Sequence, residues 1–286
     1  MKRQQTFQTN NAKLYLVATP IGNMEDITLR AINVLKMVDT IYCEDTRNTS
    51  RLLSHLEISK KLKSYHLFNE NEITDELVNR IKMGENIAVV SDAGMPAISD
   101  PGWLAAKRCI EEDVDVVVVP GVSAGLMALV ASGIPCNNYY FAGFLNSKSS
   151  KRKEELKELS TKEETIILYE APHRIKETLE LINETMGNRY ICLARELTKK
   201  YEEFLRGTVT EVLEVVDSLK GEMVLIISGA KKEDLVKDLL DKTIKEHHEH
   251  YVLNGVDKKE ALKLVAKDRG IAKSIVYQEI FGKNKN

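Results

Sequence analysis

No Cys-x-x-Cys pair occurs among the four cysteines of this chain, Cys43, Cys109, Cys136 and Cys192. Three of them sit inside or beside apolar runs. That pattern reads as buried thiols in a reducing, cytoplasmic compartment and speaks against a zinc centre or a disulfide frame. There is no Gly-Lys-Ser/Thr of a Walker loop and no Gly-x-Gly-x-x-Gly fingerprint, so tight polyphosphate or dinucleotide binding is not indicated. No apolar stretch nears the roughly 20 residues of a membrane-spanning helix. Residues 1–12 lack the apolar core of a signal peptide and are expected to form a flexible tail. An excess of one charge is missing too. Lys and Arg number 41 against 43 Asp and Glu, a net charge of −2, which excludes capture of nucleic acid by overall charge but leaves local basic patches open. His247, His248 and His250 do not share the i, i+4 face of a two-histidine metal site, so solvated side chains and no metal are expected.

What is present is an alternation of short β-branched runs with amphipathic stretches. Leu14–Ala18, Thr40–Cys43, Ile87–Val90 and Val114–Val119 read as strands of one unit. Tyr139–Phe144, Thr165–Tyr169, Tyr190–Ala194 and Met223–Ser228 read as strands of another. Helical patterns fall between them, which predicts α/β layers with largely parallel sheets. Turn residues at Ser132–Asn138 mark the boundary between an N-terminal domain over 13–133 and a second over 134–230. Beyond it, 231–286 is a helical extension. A charged helix runs from Lys231 to Lys245, and two further helices meet at a tight turn at Gly270, in the manner of a helix-turn-helix.

The densest signal is Ser91-Asp-Ala-Gly-Met-Pro-Ala-Ile-Ser-Asp-Pro-Gly102, directly after an apolar strand. Two glycines, two prolines, two serines and two aspartates in twelve residues are more than a connection requires, and loops at strand carboxyl ends are where open α/β sheets bind ligands. Ala18-Thr-Pro-Ile-Gly-Asn23 and Val119-Pro-Gly-Val-Ser-Ala-Gly125 end two other strands similarly. Ser123 is equally well placed to cap a helix. Together the three loops predict a pocket of backbone amides, serine hydroxyls and Asp92. Glu44 and Asp45 beside Arg47 and Arg51 make a charge-dense corner at the end of the second strand. In the second domain, Glu170, His173 and Arg174 share a Pro-containing turn, while Arg195, Glu196, Lys199 and Lys200 follow the next strand. Such sets suit proton handling and phosphate contact. Lys148-Ser-Ser-Lys-Arg-Lys153 reads as a flexible basic stretch in which Lys151 and Arg152 could meet RNA phosphates, or else as a solvated helix start.

Leu14–Thr28, Glu44-Asp-Thr-Arg47, Ser91–Gly102, Pro120-Gly-Val-Ser-Ala124, Tyr169-Glu-Ala-Pro-His-Arg174 and Arg195-Glu-Leu-Thr-Lys199 stand in the order found in a known family. Over about residues 13 to 230 the chain resembles the bacterial small-subunit ribosomal RNA methyltransferase I family, a branch of the tetrapyrrole-methylase (class III) superfamily. The resemblance implies two α/β domains with a cofactor cleft between them and a small helical C-terminal extension. It implies S-adenosylmethionine-dependent 2′-O-methylation of a cytidine in the decoding region of small-subunit ribosomal RNA, free or in the assembled 30S subunit, by a homodimer. Carried over by position, cofactor contacts are expected from Pro20, Gly22, Asp92, Ala93, Gly94, Ser99, Ser123 and Ala124, with Tyr169, Ala194 and Met223 closing the far side. Glu170, His173, Asp45 and Glu44, in that order, are candidates to accept the ribose proton or position the ribose. Arg47, Arg51, Lys151, Arg152, Arg174, Lys199 and Lys200 are candidates for RNA contact. No metal is required. Two other readings stay open: a methylase of a small molecule such as a tetrapyrrole, and a non-catalytic RNA-binding ribosome assembly factor.

Overall fold

The computed structural model describes residues 1–231, 236 and 239–282. Five strands, β1 (Leu14–Val17), β2 (Thr40–Cys43), β3 (Lys61–Ser64), β4 (Ile87–Val90) and β5 (Val116–Val119), form an all-parallel sheet in the order β3-β2-β4-β1-β5. α1 (Leu29–Met37) and α2 (Thr46–His55) cover one face, burying Leu35 and Leu53 against Val17, Ile41 and Val90. α3 (Glu70–Lys82) and α4 (Trp103–Glu111) cover the other, with Leu77 and Ala105 against Leu16 and Val89. Both faces are therefore buried, which is why β4 is apolar throughout and β2, with Thr40 its one polar residue, is buried along its whole length.

The second sheet departs from expectation. β6 (Tyr139–Phe144), β7 (Thr165–Glu170), β8 (Tyr190–Arg195), β9 (Glu203–Thr208) and β10 (Met223–Ile227) lie in the order β6-β7-β10-β8-β9. Only β6 and β7 are parallel; the β7–β10, β10–β8 and β8–β9 pairs are antiparallel. The cause is the last strand. The crossover through α7 (Ile175–Met186) leaves a slot between β7 and β8, and β10 returns to fill it. α6 (Ser149–Leu159), α7 and α8 (Val209–Leu213) bury Leu156, Leu179 and Val212 on one face. The opposite face is covered by α5 (Ala124–Ser132), whose Ala128 and Leu129 pack on Ile167, Cys192 and Ile226. α5 thus follows the first sheet in sequence but packs on the second.

Three further expectations are corrected. The basic segment 148–153 is the start of α6, not a flexible stretch. The helix expected from Lys231 to Lys245 does not run through. The chain turns at 241–243 and a new helix, Ile244–Leu253, begins on a Thr243–Glu246 capping box; residues 232–235, 237 and 238 lie outside the described residues. His247 and His248 are buried rather than solvated, at 0% and 5% exposure. His247 Nδ1 accepts from Arg269 Nε at 3.1 Å, and its other ring nitrogen lies 3.3 Å from the Asp268 carboxylate. Burial and the Arg269 charge push its pKa down. These contacts tie Ile244–Leu253 to Lys258–Arg269, which meets Lys273–Phe281 across a left-handed turn at Gly270. Among the described residues, no helix is long and apolar enough to cross a membrane.

Candidate active site

β1 lies between β4 and β5, so the three loops rich in small residues leave one sheet edge side by side. Thr19 and Gly94 exchange backbone hydrogen bonds of 2.9 and 3.0 Å, fastening the β1 loop to the β4 loop. Thr19 Oγ1 also donates to the Ser91 carbonyl, at 3.1 Å. Between Gly94 and Gly102 four residues adopt left-handed backbone, Gly94 (φ 79°), Ala97 (φ 70°), Ser99 (φ 64°) and Gly102 (φ 135°). Ala97 and Ser99 hold this conformation at a cost, and strain of this kind collects at ligand clamps. The β1 and β5 loops touch even more closely. A Cβ on Gly121 would lie 2.6 Å from Ala18 Cβ. Gly121→Ala is therefore expected to push the two loops apart and cost about 1–3 kcal/mol, measured as a lower denaturation midpoint together with weaker ligand binding.

Opposite these loops stand the ends of β6 and β7 and the start of β10, held level by the Met223–Glu170 pairing. Between the halves lies a cleft of about 410 Å³. Asp92, Ala93, Gly94 and Ser99 line it from the β4 loop, Ser123 and Ala124 from the start of α5, and Tyr169 and Met223 from the second sheet. Tyr169 joins the halves, its hydroxyl accepting from the Gly125 amide at 3.2 Å. Ser123 occupies the N-cap of α5 without capping it; its hydroxyl bonds to Tyr169 instead. Pro20 is buried behind the cleft, and Gly22 faces Lys199 and Thr198, so Ile21 is the member of that loop that reaches the cavity. Ala194 is buried in the α5 interface and does not line it.

Sequence reasoning passed over Ile98, Asp100, Phe144, Leu197 and Glu222, which also line the cleft. Asp100 was legible, as part of the Ser91–Gly102 loop. Its carboxyl pKa is pushed up to about 6, chiefly by burial and then by the Glu44 and Asp92 charges. Glu44 is shifted upward as well, by burial and by Asp92. Asp92 is held in place from the neighbouring loop, accepting from the Asp45 amide at 3.1 Å and from Asn48 Nδ2 at 2.8 Å. Asp45 differs. It caps α2, and the hydrogen bonds from Arg47 hold its pKa down at about 2. Among the described residues, the lining carries Asp92, Asp100, Glu170 and Glu222 and no lysine, arginine or histidine.

Several candidates are engaged elsewhere. Glu170 is 3% exposed and accepts from the Ala171 amide (2.8 Å) and Thr178 Oγ1 (2.6 Å), with Arg174 at 3.2 Å. Arg174 also donates to the Leu145 and Asn146 carbonyls. Arg152, 2% exposed, reaches Thr178, Glu177 and the carbonyls of Asn146 and Ser147, and so has no surface to offer a phosphate. Lys199 bridges Glu196 and Glu222. His173 is exposed but outside the lining. Arg47, Arg51, Lys151 and Lys200 remain at the surface.

Residues 13–213 match the family described as Tetrapyrrole (Corrin/Porphyrin) Methylases. The chain belongs to that family. Within the superfamily it is 46% identical to "Ribosomal RNA small subunit methyltransferase I" of Bacillus subtilis (strain 168), over 97% of each chain. It is 44% identical to the protein of the same name in Halalkalibacterium halodurans, over 97% of this chain and 98% of the relative. It therefore belongs to the methyltransferase I branch. A crystal structure of diphthine synthase superposes with a TM-score of 0.60 at 13% identity, covering 76% of this chain and 90% of that one, a likeness of fold. Methyltransferases of this family depend on S-adenosylmethionine. The cleft of this methylase fits that ligand. Among the described residues, its lining offers carboxylates that would suit a cationic ligand, the apolar Ile98, Leu197 and Met223 that could cover an adenine, and none of the cations that a polyphosphate requires.

Proposed function

We propose that this methylase transfers a methyl group from S-adenosylmethionine to the 2′-oxygen of a cytidine in the decoding region of small-subunit ribosomal RNA. The observation that carries the reading is the acidic, cation-free cleft between the two sheets, in a chain close to half identical to relatives named for ribosomal RNA methylation. When bound, S-adenosylmethionine supplies an electrophilic methyl group on a positively charged sulfur. Asp100 and Asp92 hold its cationic groups, and the Gly94 and Ser123 loops approach its backbone-sized parts closely. Tyr169, Leu197 and Met223 enclose its apolar face and exclude water.

Of the four candidate proton acceptors, Glu44 fits best: like His173 it lies outside the lining, but it adjoins Asp45, whose amide bonds to the lining residue Asp92. Its pKa is raised and its charge is felt by Asp100 at the cleft, and a carboxylate poised above its usual range is a better base near neutral pH. Asp45 is held acidic by Arg47, and Glu170 is committed to Arg174 and Thr178. Arg47 and Arg51, on the exposed face of α2 beside Glu44, position phosphates, joined by Lys151 and Lys200 across the cleft. Alignment of hydroxyl and methyl supplies much of the acceleration.

A homodimer is part of the same reading. α5 is apolar on every side, yet Leu126 and Val130 are exposed, and Val118 is exposed on the edge strand β5. A helix apolar all round belongs in an interior, and a second copy supplies one.

Transfer of labelled methyl from S-adenosylmethionine to 30S subunits of a strain lacking the activity, followed by nuclease mapping, tests the assignment. Label on a 2′-O-methylcytidine is expected. Cofactor binding with no label in RNA returns the small-molecule methylase, and no cofactor binding at all returns the assembly factor.

A further inference from the structure

Two aromatic rings stand almost bare at one corner of the first sheet. Phe68 is 98% exposed and Trp103 63%. Phe68 lies in the turn between β3 and α3, set edge-on to His66 with ring centroids 6.0 Å apart. Trp103 opens α4 directly after the loop that lines the cleft. Both positions lie at the carboxyl-end edge of the first sheet, on the face that α3 and α4 cover. α3 and α4 run side by side in the same direction, joined by Asp75–Arg108 at 2.9 Å and Lys82–Glu112 at 2.5 Å. Carrying that register back toward the amino ends sets Trp103 level with the start of α3, two residues after Phe68. At the end of β3 the Tyr65 hydroxyl bonds to Thr74 Oγ1 of α3 at 3.0 Å, and its ring shares a core cluster with Ala105 in the first turn of α4.

The chemistry around the rings selects the guest. Lys107 Nζ lies 5.5 Å from the Trp103 ring centroid. Glu70 and Glu72 in the first turn of α3 repel phosphate, so this corner suits uncharged, flat groups taken by their faces. Unpaired bases joined by a phosphate backbone have that form. Leu67, 57% exposed beside Phe68, makes an apolar protein surface the competing guest; the charges at the rim, Lys107, Glu70 and Glu72, favour the bases, and titration with RNA separates the two.

We infer that Phe68 and Trp103 form a stacking platform for unpaired bases of the RNA strand next to the nucleotide that enters the cleft. The inference rests on the RNA-methylating reading above. It gives the enzyme a way to grip single-stranded RNA despite a net negative charge, through rings as well as through the surface cations.

Trp103 is the only tryptophan of the chain, so its fluorescence reports this corner alone. Titration of the full-length protein with a short single-stranded oligoribonucleotide is expected to quench it saturably, and the same sequence as a duplex is not. In methyl transfer to 30S subunits, Phe68→Ala and Trp103→Ala are each expected to raise KM for RNA about tenfold. Their affinity for S-adenosylmethionine stays at the wild-type value, and Trp103→Phe restores the KM. Wild-type methylation of RNA with neither quenching nor a KM change in the alanine variants overturns the platform and leaves the enzyme reading intact. Absence of RNA methylation by the wild type overturns the enzyme reading itself, and the platform with it.

Discussion

Asp100→Asn is expected to remove most of the cofactor affinity while making the ligand-free protein more stable above neutral pH. The Asp100 carboxyl is more than half buried, beside Glu44 and Asp92, and its pKa stands at about 6. A carboxyl whose pKa rises on folding binds its proton more tightly in the folded state. The ionised form therefore costs stability above that pKa, and the cost is relieved as pH falls through about 6 toward the unfolded value. Asparagine keeps the shape without the charge, so the variant should melt higher than wild type above pH 7. The two should converge near pH 4, where both side chains are neutral. The same charge is what a cationic ligand seeks. Losing a charged hydrogen bond costs about 1.5–3 kcal/mol, or roughly 10- to 100-fold in affinity. Wild-type affinity should likewise decline as pH drops below about 6. Calorimetric titration and thermal melts across that range check both halves. Unchanged affinity in the variant would move the cationic end of the ligand away from Asp100.

Glu170→Ala is expected to destabilise the second sheet severely. The carboxylate is one end of a buried chain in which Arg152 donates to Thr178 and Thr178 donates to Glu170, with Arg174 alongside. Removing one partner strands the others. Breaking a buried ion pair in this way costs about 3–5 kcal/mol, a loss on the order of 10 °C in melting temperature for a chain of this size. Glu170→Gln keeps an acceptor for Thr178 and is expected to retain kcat within a few-fold. Were Glu170 the proton acceptor, the glutamine variant would instead stay folded and lose turnover. Melting curves and kcat on the same preparations separate the two roles.

How far the sequence could be read depended on burial. β4 and β10 are buried throughout and appear as unbroken apolar runs, and the equally buried β2 has only Thr40 as an exception. The strands that escaped notice, β3 and β9, are the edges of their sheets. Their Lys61, Lys63, Glu203 and Arg206 are the charges that edge strands carry against unwanted pairing, and they erase the apolar signal. α2 carries little apolar signal as well, because only Leu52 and Leu53 in it are apolar core residues. The cleft loops stood out because their glycines, prolines and aspartates answer to local backbone geometry. Side-chain commitments did not. Nothing in Lys148–Lys153 distinguishes the buried Arg152 from its exposed neighbour Lys151, since the partners that bury it lie about a helix and a strand further along. His247 and His248 are buried for the same kind of reason, by Arg269, Asp268 and the Lys258 carbonyl from the following helix.

The position of β10 also has a consequence for how the chain is made. All strands of the first sheet precede residue 120, so that half can close while the rest is still being synthesised. The second sheet cannot, because its central strand is the last to emerge. Until Met223–Ile227 leaves the ribosome, β7 and β8 present two unsatisfied inner edges rather than one sheet, the kind of surface that draws intermolecular pairing. Met223 also completes the wall of the cleft. A nascent or truncated chain ending before it is therefore both prone to aggregate and unable to be rescued by ligand, and ligand-assisted maturation begins only once that strand has arrived.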